Sequence, residues 1–483
     1  MVNMSRFTHS YDFGEAVALY HSLRMKPVYL SKNAFGSLQA WLASSFCDKI
    51  ENAPKEIKAE IQELAKYKIL TQTPNEDDRV LSFVRSKIPS PAVNVCYMIM
   101  SEQCNLACKY CFLGNNDCDK RSNFLLENMS AETADKALAF FVRQIKESGL
   151  DIEDNKPVLI FYGGEPLVNF KVLEYTAEKV NELRDTEKCM RNIEMSIVTN
   201  GLLLDESRIK RLHELGVSIA ISIDGFTEEA NNMRVDITGK PVFSRILDKL
   251  NLCKSLGVDI SLSVTLSEET IKNTKDILDL VDTYGVKAFG FNIMIMMSSD
   301  TFVLPQSYNE AAAQFIIDEF LELRERGIYE DRMMRKLKSF SKAQVYFSDC
   351  AATTGGQIVI APNGQVGICH GCLHNKQYFV AHIDDDDFVA VKDENFIEWS
   401  QLTPLNHEEC MDCPALGICG GGCPVNAMYL KPGNTIHSID ERFCVHSKKT
   451  LEFFIKDLYR IIAQEQADSI RKYPCRRKPV AYA

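Results

Sequence analysis

An apolar run passes directly into three closely spaced cysteines in the stretch VCYMIMSEQCNLACKYC, residues 95–111. The run has the length and composition of a buried strand, and Cys104, Cys108 and Cys111 follow it on a loop. Four thiolates would close a zinc site or saturate an iron–sulfur cluster, whereas three leave one iron of a four-iron cluster open to a small ligand. The alternative is a structural zinc site with Cys118 as the fourth ligand.

The same strand begins an alternation of apolar runs and amphipathic stretches that extends to about residue 297. The further apolar runs occupy residues 158–162, 193–199, 217–223, 260–265 and 288–296, and helical patterns occupy residues 131–148, 171–184, 205–215, 243–256 and 270–285. Near-continuous apolar strands separated by helices predict an α/β fold with a parallel sheet covered by helices. Six such units form either a curled, incomplete barrel or an open doubly wound sheet, with the chemistry at the carboxyl ends of the strands.

Composition narrows the class of protein further. The chain has 483 residues, with 55 Lys and Arg against 66 Asp and Glu, and this acidic balance argues against a general nucleic-acid binder. No apolar run is long enough to predict a membrane span, and the first ten residues lack the apolar segment of a secretory signal, so we expect a cytoplasmic protein. Seventeen cysteines in a reducing compartment indicate metal or redox chemistry rather than disulfides.

Four more segments at predicted strand ends carry polar or glycine residues. They contribute Gly163, Gly164, Glu165 and Pro166, then Thr199 and Asn200, then Ser222 and Asp224, and finally Arg234. The paired glycines would let a ligand approach the backbone closely. In this order, and after the Cys-x3-Cys-x2-Cys loop, these segments resemble those of the radical S-adenosylmethionine (radical SAM) enzymes, whose fold is a partial (β/α)6 TIM-like barrel.

The resemblance implies a role for each segment. Cys104, Cys108 and Cys111 would hold a [4Fe–4S] cluster whose fourth iron binds the amino and carboxylate groups of SAM. The GGEP segment would bind the SAM amino group and Arg234 the carboxylate, while the remaining contacts to SAM would come from Tyr110, Thr199, Asn200, Ser222 and Asp224. One electron entering the cluster would then split SAM into a 5′-deoxyadenosyl radical, and the protein would supply orientation and shielding.

Seven more cysteines, from Cys350 to Cys444, resemble the SPASM extension of many radical SAM enzymes. By that pattern a first auxiliary [4Fe–4S] cluster takes Cys350, Cys369 and Cys423, and a second takes Cys410, Cys413, Cys419 and Cys444, which makes three clusters in all. Cys372 would complete the first auxiliary cluster, or one of its irons would stay open for a substrate group; Cys372, His370 and His374 would then be ordinary loop residues. Two zinc sites are the competing interpretation.

The predicted organisation has five parts. Residues 1–90 resemble the small α+β, winged-helix-like domain with which peptide maturases bind the leader of a precursor peptide, and a strand edge there would accept such a leader. Alternatively, this domain only braces the barrel. The barrel would occupy residues 91–300, a helical linker 301–348, the SPASM domain 349–447 and a C-terminal helix and tail 448–483.

Most enzymes with a SPASM extension act on peptides or proteins. The resemblance therefore implies a radical SAM oxidoreductase that installs a crosslink in a ribosomally made precursor peptide, either a thioether or a carbon–carbon bond, with a flavodoxin or ferredoxin as reductant. The alternatives are an anaerobic sulfatase maturase, which forms formylglycine, and a non-catalytic metal-bearing scaffold that binds a peptide. The sequence assigns no general base.

Overall fold

The computed structural model describes residues 1–113, 126–150, 155–272, 281–295, 304–305 and 307–470. Cys118 and the basic tail at 471–483 lie outside the described residues. Within the described chain, a large mixed sheet with helices packed against it forms the centre of the molecule, and the predicted α/β class is confirmed. The search of the described helices found none that is long and apolar enough to cross a membrane.

The N-terminal part is a small sheet with three helices. Its antiparallel strands are β2 (Thr8–Asp12), β3 (Ala16–His21) and β4 (Pro27–Ser31), and a second short pair joins β1 (Asn3–Met4) to β5 (Leu70–Thr71). The helices are α1 (Lys32–Leu42), α2 (Lys58–Lys66) and α3 (Glu76–Arg85). Helix α1 begins where the Ser31 side chain accepts a hydrogen bond from the Ala34 amide, a standard N-cap.

Six parallel strands then follow in sequence order, each paired with the next. They are β6 (Val95–Ser101), β7 (Val158–Gly163), β8 (Glu194–Thr199), β9 (Val217–Ile223), β10 (Ile260–Leu266) and β11 (Ala288–Ile293). The helices described between them are α4 (Ala131–Ser148), α5 (Phe170–Thr186), α6 (Glu206–Glu214), α7 (Phe243–Ser255) and α8 (Glu268–Lys272). Parallel strands need such crossover connections, and the predicted helical stretches overlap each of these helices. Residues 273–280 of the stretch predicted at 270–285 lie outside the described residues.

The two faces of these strands differ more than the sequence pattern predicts. One face is fully buried and packs with the helices in one core, as Phe161, Ile221 and Val264 do. The other face is partly exposed in β8–β11 and carries mainly small side chains, such as those of Ser196, Ser222, Ser263, Thr265 and Asn292. The strands therefore have one apolar face rather than two, and the small residues leave space on the inner face of the sheet.

The C-terminal half extends the same sheet on both sides. Strand β12 (Tyr329–Glu330) pairs with β11, while β13 (Gln357–Ile360) pairs in parallel with β6 and continues into β14 (Gln365–Gly367) and β15 (Phe379–His382). The helices here are α9 (Tyr308–Glu325), α10 (Asp331–Lys342), α11 (Glu394–Ser400), α12 (Pro424–Leu430) and α13 (Glu441–Ile470). Pairing of β13 with β6 joins the cysteine-rich region directly to the strand that leads into the first cysteine loop.

Three boundaries differ from the sequence prediction. Strand β11 ends at Ile293, before the predicted residue 296, and the predicted helical linker contains the short strand β12. Helix α13 begins at Glu441 rather than near residue 451, so that Cys444 lies in its first turns. The sequence pattern does not predict this start, because the buried side chain in the first turn is Arg442, paired with Asp440, and not an apolar residue of a helical stripe.

Candidate active site

The first cysteine loop is held by the strand end that carries the GGEP segment. The Gly164 amide donates to Ser101 O at 2.8 Å, and the Glu165 amide donates to Gln103 O at 2.8 Å. Gly163 has φ +138°, and a Cβ there would lie 2.1 Å from Ser101 O. The cysteine loop therefore packs closely against both glycines and leaves no room for a side chain at either position.

Glu165 links the segment after β7 to the end of β8 through its carboxylate. The side chain is 1% exposed and accepts hydrogen bonds from the Leu167 amide at 3.0 Å, the Thr199 hydroxyl at 2.6 Å and the Asn200 amide at 2.8 Å. Burial raises the pKa of Glu165, and these hydrogen bonds oppose that rise. The neighbouring Asn200 side chain donates to Asn105 Oδ1 at 2.8 Å, next to Cys104. Pro166 is buried in the short 3-10 turn that follows.

The loop that bears Arg234 is also bonded to the cysteine loop. The Ala107 amide donates to Val235 O at 2.8 Å, and the Lys109 amide donates to Met233 O at 2.9 Å. These two bonds hold Arg234 near Cys108, where the positive charge of its guanidinium opposes the rise that burial causes in the pKa of the Cys108 thiol.

Tyr110, Asp224 and Arg234 form a closed network of hydrogen bonds. The Tyr110 hydroxyl donates to Asp224 Oδ2 at 2.6 Å and accepts from Arg234 Nη1 at 2.6 Å, and the same Nη1 lies 3.3 Å from Asp224 Oδ1. Both Asp224 oxygens thus have partners within the protein. Ser222 lies two residues earlier, on the partly exposed inner face of β9.

The three thiols of the first loop lie close enough for their charges to interact. Burial raises the pKa of Cys104 to about 12 and that of Cys108 to about 11, and the Cys111 thiol adds to both shifts. A metal centre here would therefore displace protons from thiols that are neutral at pH 7. Among the described residues, no three His, Cys, Asp or Glu groups meet around a site for a single metal ion.

The residues present fit a cluster with bound SAM. The loop supplies three soft sulfur donors, which suit iron. Arg234 is 5% exposed, and its Nε has no hydrogen-bond partner within the described part of the chain, so that a buried donor remains for an anionic ligand group. The buried carboxylate of Glu165 lies near Cys104, where it raises the pKa of that thiol, and offers the opposite charge for an ammonium group.

A second set of thiols gathers around Cys369. The Cys369 side chain is hydrogen-bonded to that of Cys372, which raises the pKa of Cys369, and burial adds to the rise. Cys423 is electrostatically coupled to Cys369 and Cys350. The four thiols that the sequence predicts for the first auxiliary site, with Cys372 as the fourth, are therefore neighbours in the fold.

The third set consists of Cys410, Cys413, Cys419 and Cys444. Burial raises the pKa of Cys410 and Cys444 to about 12, and in each case the other thiols of the set add to the rise. Cys419 and Cys423 belong to different sets although only three residues separate them. Those residues, Gly420–Gly422, all have positive φ, between +74° and +85°, a conformation that requires glycine and turns the chain from one site to the other.

His370 connects the first cysteine loop to the second set of thiols, and the sequence analysis gave it no definite role. Its ring stacks on Tyr97 with centroids 4.4 Å apart and meets the edges of Tyr162 at 4.9 Å and Phe112 at 5.8 Å. Phe112 follows Cys111, and His370 follows Cys369. An aromatic cluster thus fills the space between the two cysteine sites.

Two further residues support the site without any motif that could have revealed them. Asn231 accepts from the Asp224 amide at 2.9 Å and donates to Gly225 O at 2.8 Å. The Thr270 hydroxyl donates to Asp224 O, and Thr270 is buried. Both hold the end of β9 in place. An isolated Asn and an isolated Thr in a sequence predict no such contact.

Comparison with known proteins agrees with this site. Residues 98–281 match the Radical SAM superfamily. The radical SAM cyclopropyl synthase TigE of Paramaledivibacter caminithermalis is 25% identical over 395 residues, which cover 78% of this chain and 75% of that protein. The cysteine-type anaerobic sulfatase-maturating enzyme of Clostridium perfringens is 26% identical over 357 residues, which cover 69% and 89% of the two chains.

Two solved structures share the fold. The sulfatase-maturating enzyme anSMEcpe with bound AdoMet and the Cp18Cys peptide has a TM-score of 0.61 at 21% identity, over 77% of this chain and 99% of that one. SuiB of Streptococcus suis bound to its precursor peptide SuiA has a TM-score of 0.54 at 15% identity, over 92% of this chain and 100% of that one.

The chain therefore carries a radical SAM domain and is a radical SAM enzyme, as the sequence predicts. This class implies a [4Fe–4S] cluster and SAM as cofactors. The partial barrel also agrees with the structural neighbours.

Proposed function

We propose that the protein matures a ribosomally made precursor peptide by abstracting a hydrogen atom from it and closing a new covalent bond, a thioether or a carbon–carbon bond. The similarity to a cyclopropyl synthase over 78% of the chain supports the carbon–carbon alternative. The observation that carries the proposal is the arrangement of Cys104, Glu165 and Arg234 in the loops that follow β6, β7 and β9, with a second set of thiols beyond the His370 aromatic cluster.

In this proposal each part of the site has one task. Cys104, Cys108 and Cys111 hold the cluster, Glu165 receives the SAM ammonium and Arg234 receives the SAM carboxylate. When bound and reduced, the cluster with SAM supplies a carbon radical that abstracts hydrogen. The remaining contacts to SAM come from Tyr110, Gly163, Gly164, Pro166, Thr199, Asn200, Ser222 and Asp224.

The auxiliary thiols hold the clusters that would take up the electron released by the substrate. One [4Fe–4S] cluster is held by Cys350, Cys369, Cys372 and Cys423. We assign Cys372 as the fourth ligand because its thiol is hydrogen-bonded to the thiol of Cys369. Cys410, Cys413, Cys419 and Cys444 hold the other. Closing a bond between a substrate radical and a thiol or C–H group would release one proton to solvent and one electron, and clusters held by these thiols would accept the electron. A flavodoxin or ferredoxin supplies the electron that starts the reaction.

The N-terminal sheet is the proposed site for the leader of the precursor. Strand β2 pairs only with β3 among the described strands, and β4 likewise, so that both have an outer edge for strand addition. The fold shared with peptide-bound SuiB over 92% of the chain supports this assignment, whereas the match to anSMEcpe covers 77%.

The test uses anaerobically reconstituted enzyme with SAM, a reductant and the peptide encoded beside the gene. The proposal expects 5′-deoxyadenosine and a peptide lighter by two hydrogen atoms, and about 12 iron per chain for three clusters. The matched control is the variant with Cys104, Cys108 and Cys111 replaced by Ala, which should give neither product. An unchanged peptide alongside SAM cleavage would contradict the peptide assignment.

A sulfatase maturase is the second candidate, because enzymes of that activity from Clostridium perfringens match 69% of the chain. Oxidation of serine to formylglycine also removes two hydrogen atoms, so mass alone does not separate the two functions. A hydrazide probe does, because it labels the aldehyde of formylglycine and neither a thioether nor a carbon–carbon crosslink. Labelling of a co-expressed sulfatase would favour this second function.

A further inference from the structure

Helix α10 brings three cations to the cysteine-rich region. Arg332 Nη1 lies 3.3 Å from Asp349 Oδ2, Lys336 Nζ lies 3.4 Å from Asp349 Oδ1, and Arg335 Nη1 donates to the Asp349 carbonyl. Burial raises the pKa of Asp349, but Lys336, Arg335 and Arg332 outweigh it and bring this pKa to about 2. One buried carboxylate, directly before Cys350, thus faces three positive side chains.

Lys336 is the most deeply buried of these cations, with a side chain that is 0% exposed. Its Nζ donates to Cys419 O at 2.7 Å and to Ile418 O at 3.1 Å, and the Asp349 contact is the third. An ammonium group has three donors; two of them have backbone carbonyl acceptors here, and Asp349 Oδ1 at 3.4 Å supplies a negative charge beside the group. Burial lowers the pKa of Lys336, and the charge of Asp349 opposes that fall.

The two cations nearest the thiols approach different cysteine sets. Lys336 is bonded to the Cys419 carbonyl and is electrostatically coupled to the Cys419 thiol. Arg335 is coupled to the Cys350 thiol and also bonds the Tyr346 hydroxyl at 3.1 Å. Consecutive residues of one helix thereby bring one positive charge to each auxiliary site.

We infer that Lys336 and Arg335 raise the reduction potentials of the two auxiliary clusters, Lys336 at the Cys419 cluster and Arg335 at the Cys350 cluster. The inference rests on the proposed function, since it takes both clusters as present. Each cluster gains one electron on reduction, with no bond formed or broken, and so becomes more negative by one charge. A fixed cation in a buried site stabilises that reduced form, which makes the cluster a better electron acceptor.

The experiment is a redox titration followed by electron paramagnetic resonance. It uses the full-length, anaerobically reconstituted chain with Cys104, Cys108 and Cys111 replaced by Ala, so that only the auxiliary clusters contribute. Lys336→Met should lower the midpoint potential of one cluster and Arg335→Gln that of the other. Lys336→Arg and Arg335→Lys keep the charge and should retain the original midpoints. The matched control is Lys338→Met, an exposed lysine on the same helix.

The outcomes separate this inference from the function on which it rests. Fewer than about eight iron per chain in the unsubstituted background would mean that the auxiliary clusters themselves are wrong. Full iron and sulfide with unchanged midpoints in Lys336→Met and Arg335→Gln would overturn the inference alone. Arg335 has a side chain that is 31% exposed, so its variants keep the test decisive if the fully buried Lys336→Met does not fold.

Discussion

At the scale of single residues, the hydrogen bonds to the Glu165 carboxylate limit which side chains can replace it. Three donors converge on its carboxylate, which a glutamine cannot satisfy because its amide nitrogen would face one of them. We expect Glu165→Gln to weaken SAM binding by about tenfold or more, since it removes both a charge and a hydrogen bond. Equilibrium dialysis of SAM against the reconstituted enzyme measures this.

Glu194→Gln is the control for that substitution. Glu194 lies on the neighbouring strand β8, but its side chain is 61% exposed and paired only with Lys156 at the surface. This variant should bind SAM as the unsubstituted chain does. Equal SAM affinity in Glu165→Gln would mean that the carboxylate only braces the loops and does not receive the ligand.

Gly163 provides a second test at this scale. An alanine there would combine an unfavourable φ of +138° with a Cβ 2.1 Å from Ser101 O, a backbone atom that cannot move without the cysteine loop. We expect Gly163→Ala to lose the first cluster and hence about four of 12 iron per chain. Iron analysis measures the loss.

Gly257→Ala separates backbone strain from steric contact. Gly257 also has a positive φ, +68°, but nothing lies within 4 Å of its added Cβ. This variant should cost about 1 kcal/mol of stability and keep all its iron. Full iron in Gly163→Ala as well would show that the cysteine loop tolerates displacement.

The sequence predicts residues better than it predicts their partners. Cys104 stands out by the spacing of its loop after a strand, and Glu165 and Arg234 are identified by the resemblance of their segments to those of radical SAM enzymes. The role of Gly163 depends on the distance to Ser101 O, and the closed network of Tyr110, Asp224 and Arg234 depends on side-chain directions. Neither the distance nor the side-chain directions can be read from the local sequence pattern, since both involve residues far apart along the chain.

At the scale of elements, periodicity identifies the barrel strands because each has one fully buried face. It misses β13, whose four residues are too short to show a period, and whose parallel pairing with β6 joins segments more than 250 residues apart. That pairing is what brings Cys369 next to Tyr97. The position of the auxiliary thiols beside the first site therefore could not be predicted from the sequence.

Helix α9 carries a buried acid that makes stability depend on pH. Glu319 is 3% exposed, its Oε2 has no hydrogen-bond partner in the described part of the chain, and burial raises its pKa to about 8. Between the ordinary value of 4.5 and about 8, the folded form keeps a proton that the unfolded form loses. Stability therefore falls as pH rises through this interval and is unaffected below it.

Glu319→Gln should remove this dependence. We expect the variant to be more stable by about 4 kcal/mol at pH 8, which follows from the folded pKa of about 8 against 4.5, and nearly equal to the unsubstituted chain at pH 4.5, where only about half a proton is released on unfolding. Thermal unfolding midpoints at both pH values measure the difference. Glu325→Gln, an exposed position on the same helix, should change neither midpoint. A constant difference at both pH values would exclude titration as the cause.

At the scale of the whole molecule, the N-terminal sheet is built into the enzyme rather than tethered to it. One face of β3 packs in its own core through Val17 and Leu19, while Ala18 and Tyr20 belong to the main core. Tyr29 also donates to Ile455 O on α13 at 2.7 Å. The sheet therefore contacts the barrel through one face and through Tyr29, whereas the proposed leader site is at the outer strand edges of the sheet.

The N-terminal sheet also approaches the cysteine-rich region at Gly417, between Cys413 and Cys419. A Cβ there would lie 2.2 Å from Ser22 O and 2.9 Å from the Met25 side chain, on the turn between β3 and β4. Gly417→Ala should push this turn away, destabilise the chain by about 2 kcal/mol and increase protease cleavage within residues 1–90. Gly36→Ala, with nothing within 4 Å of the new Cβ, should leave cleavage unchanged. If Gly417→Ala also loses iron, the N-terminal sheet supports the second auxiliary site; if cleavage is unchanged, the two parts do not depend on this contact.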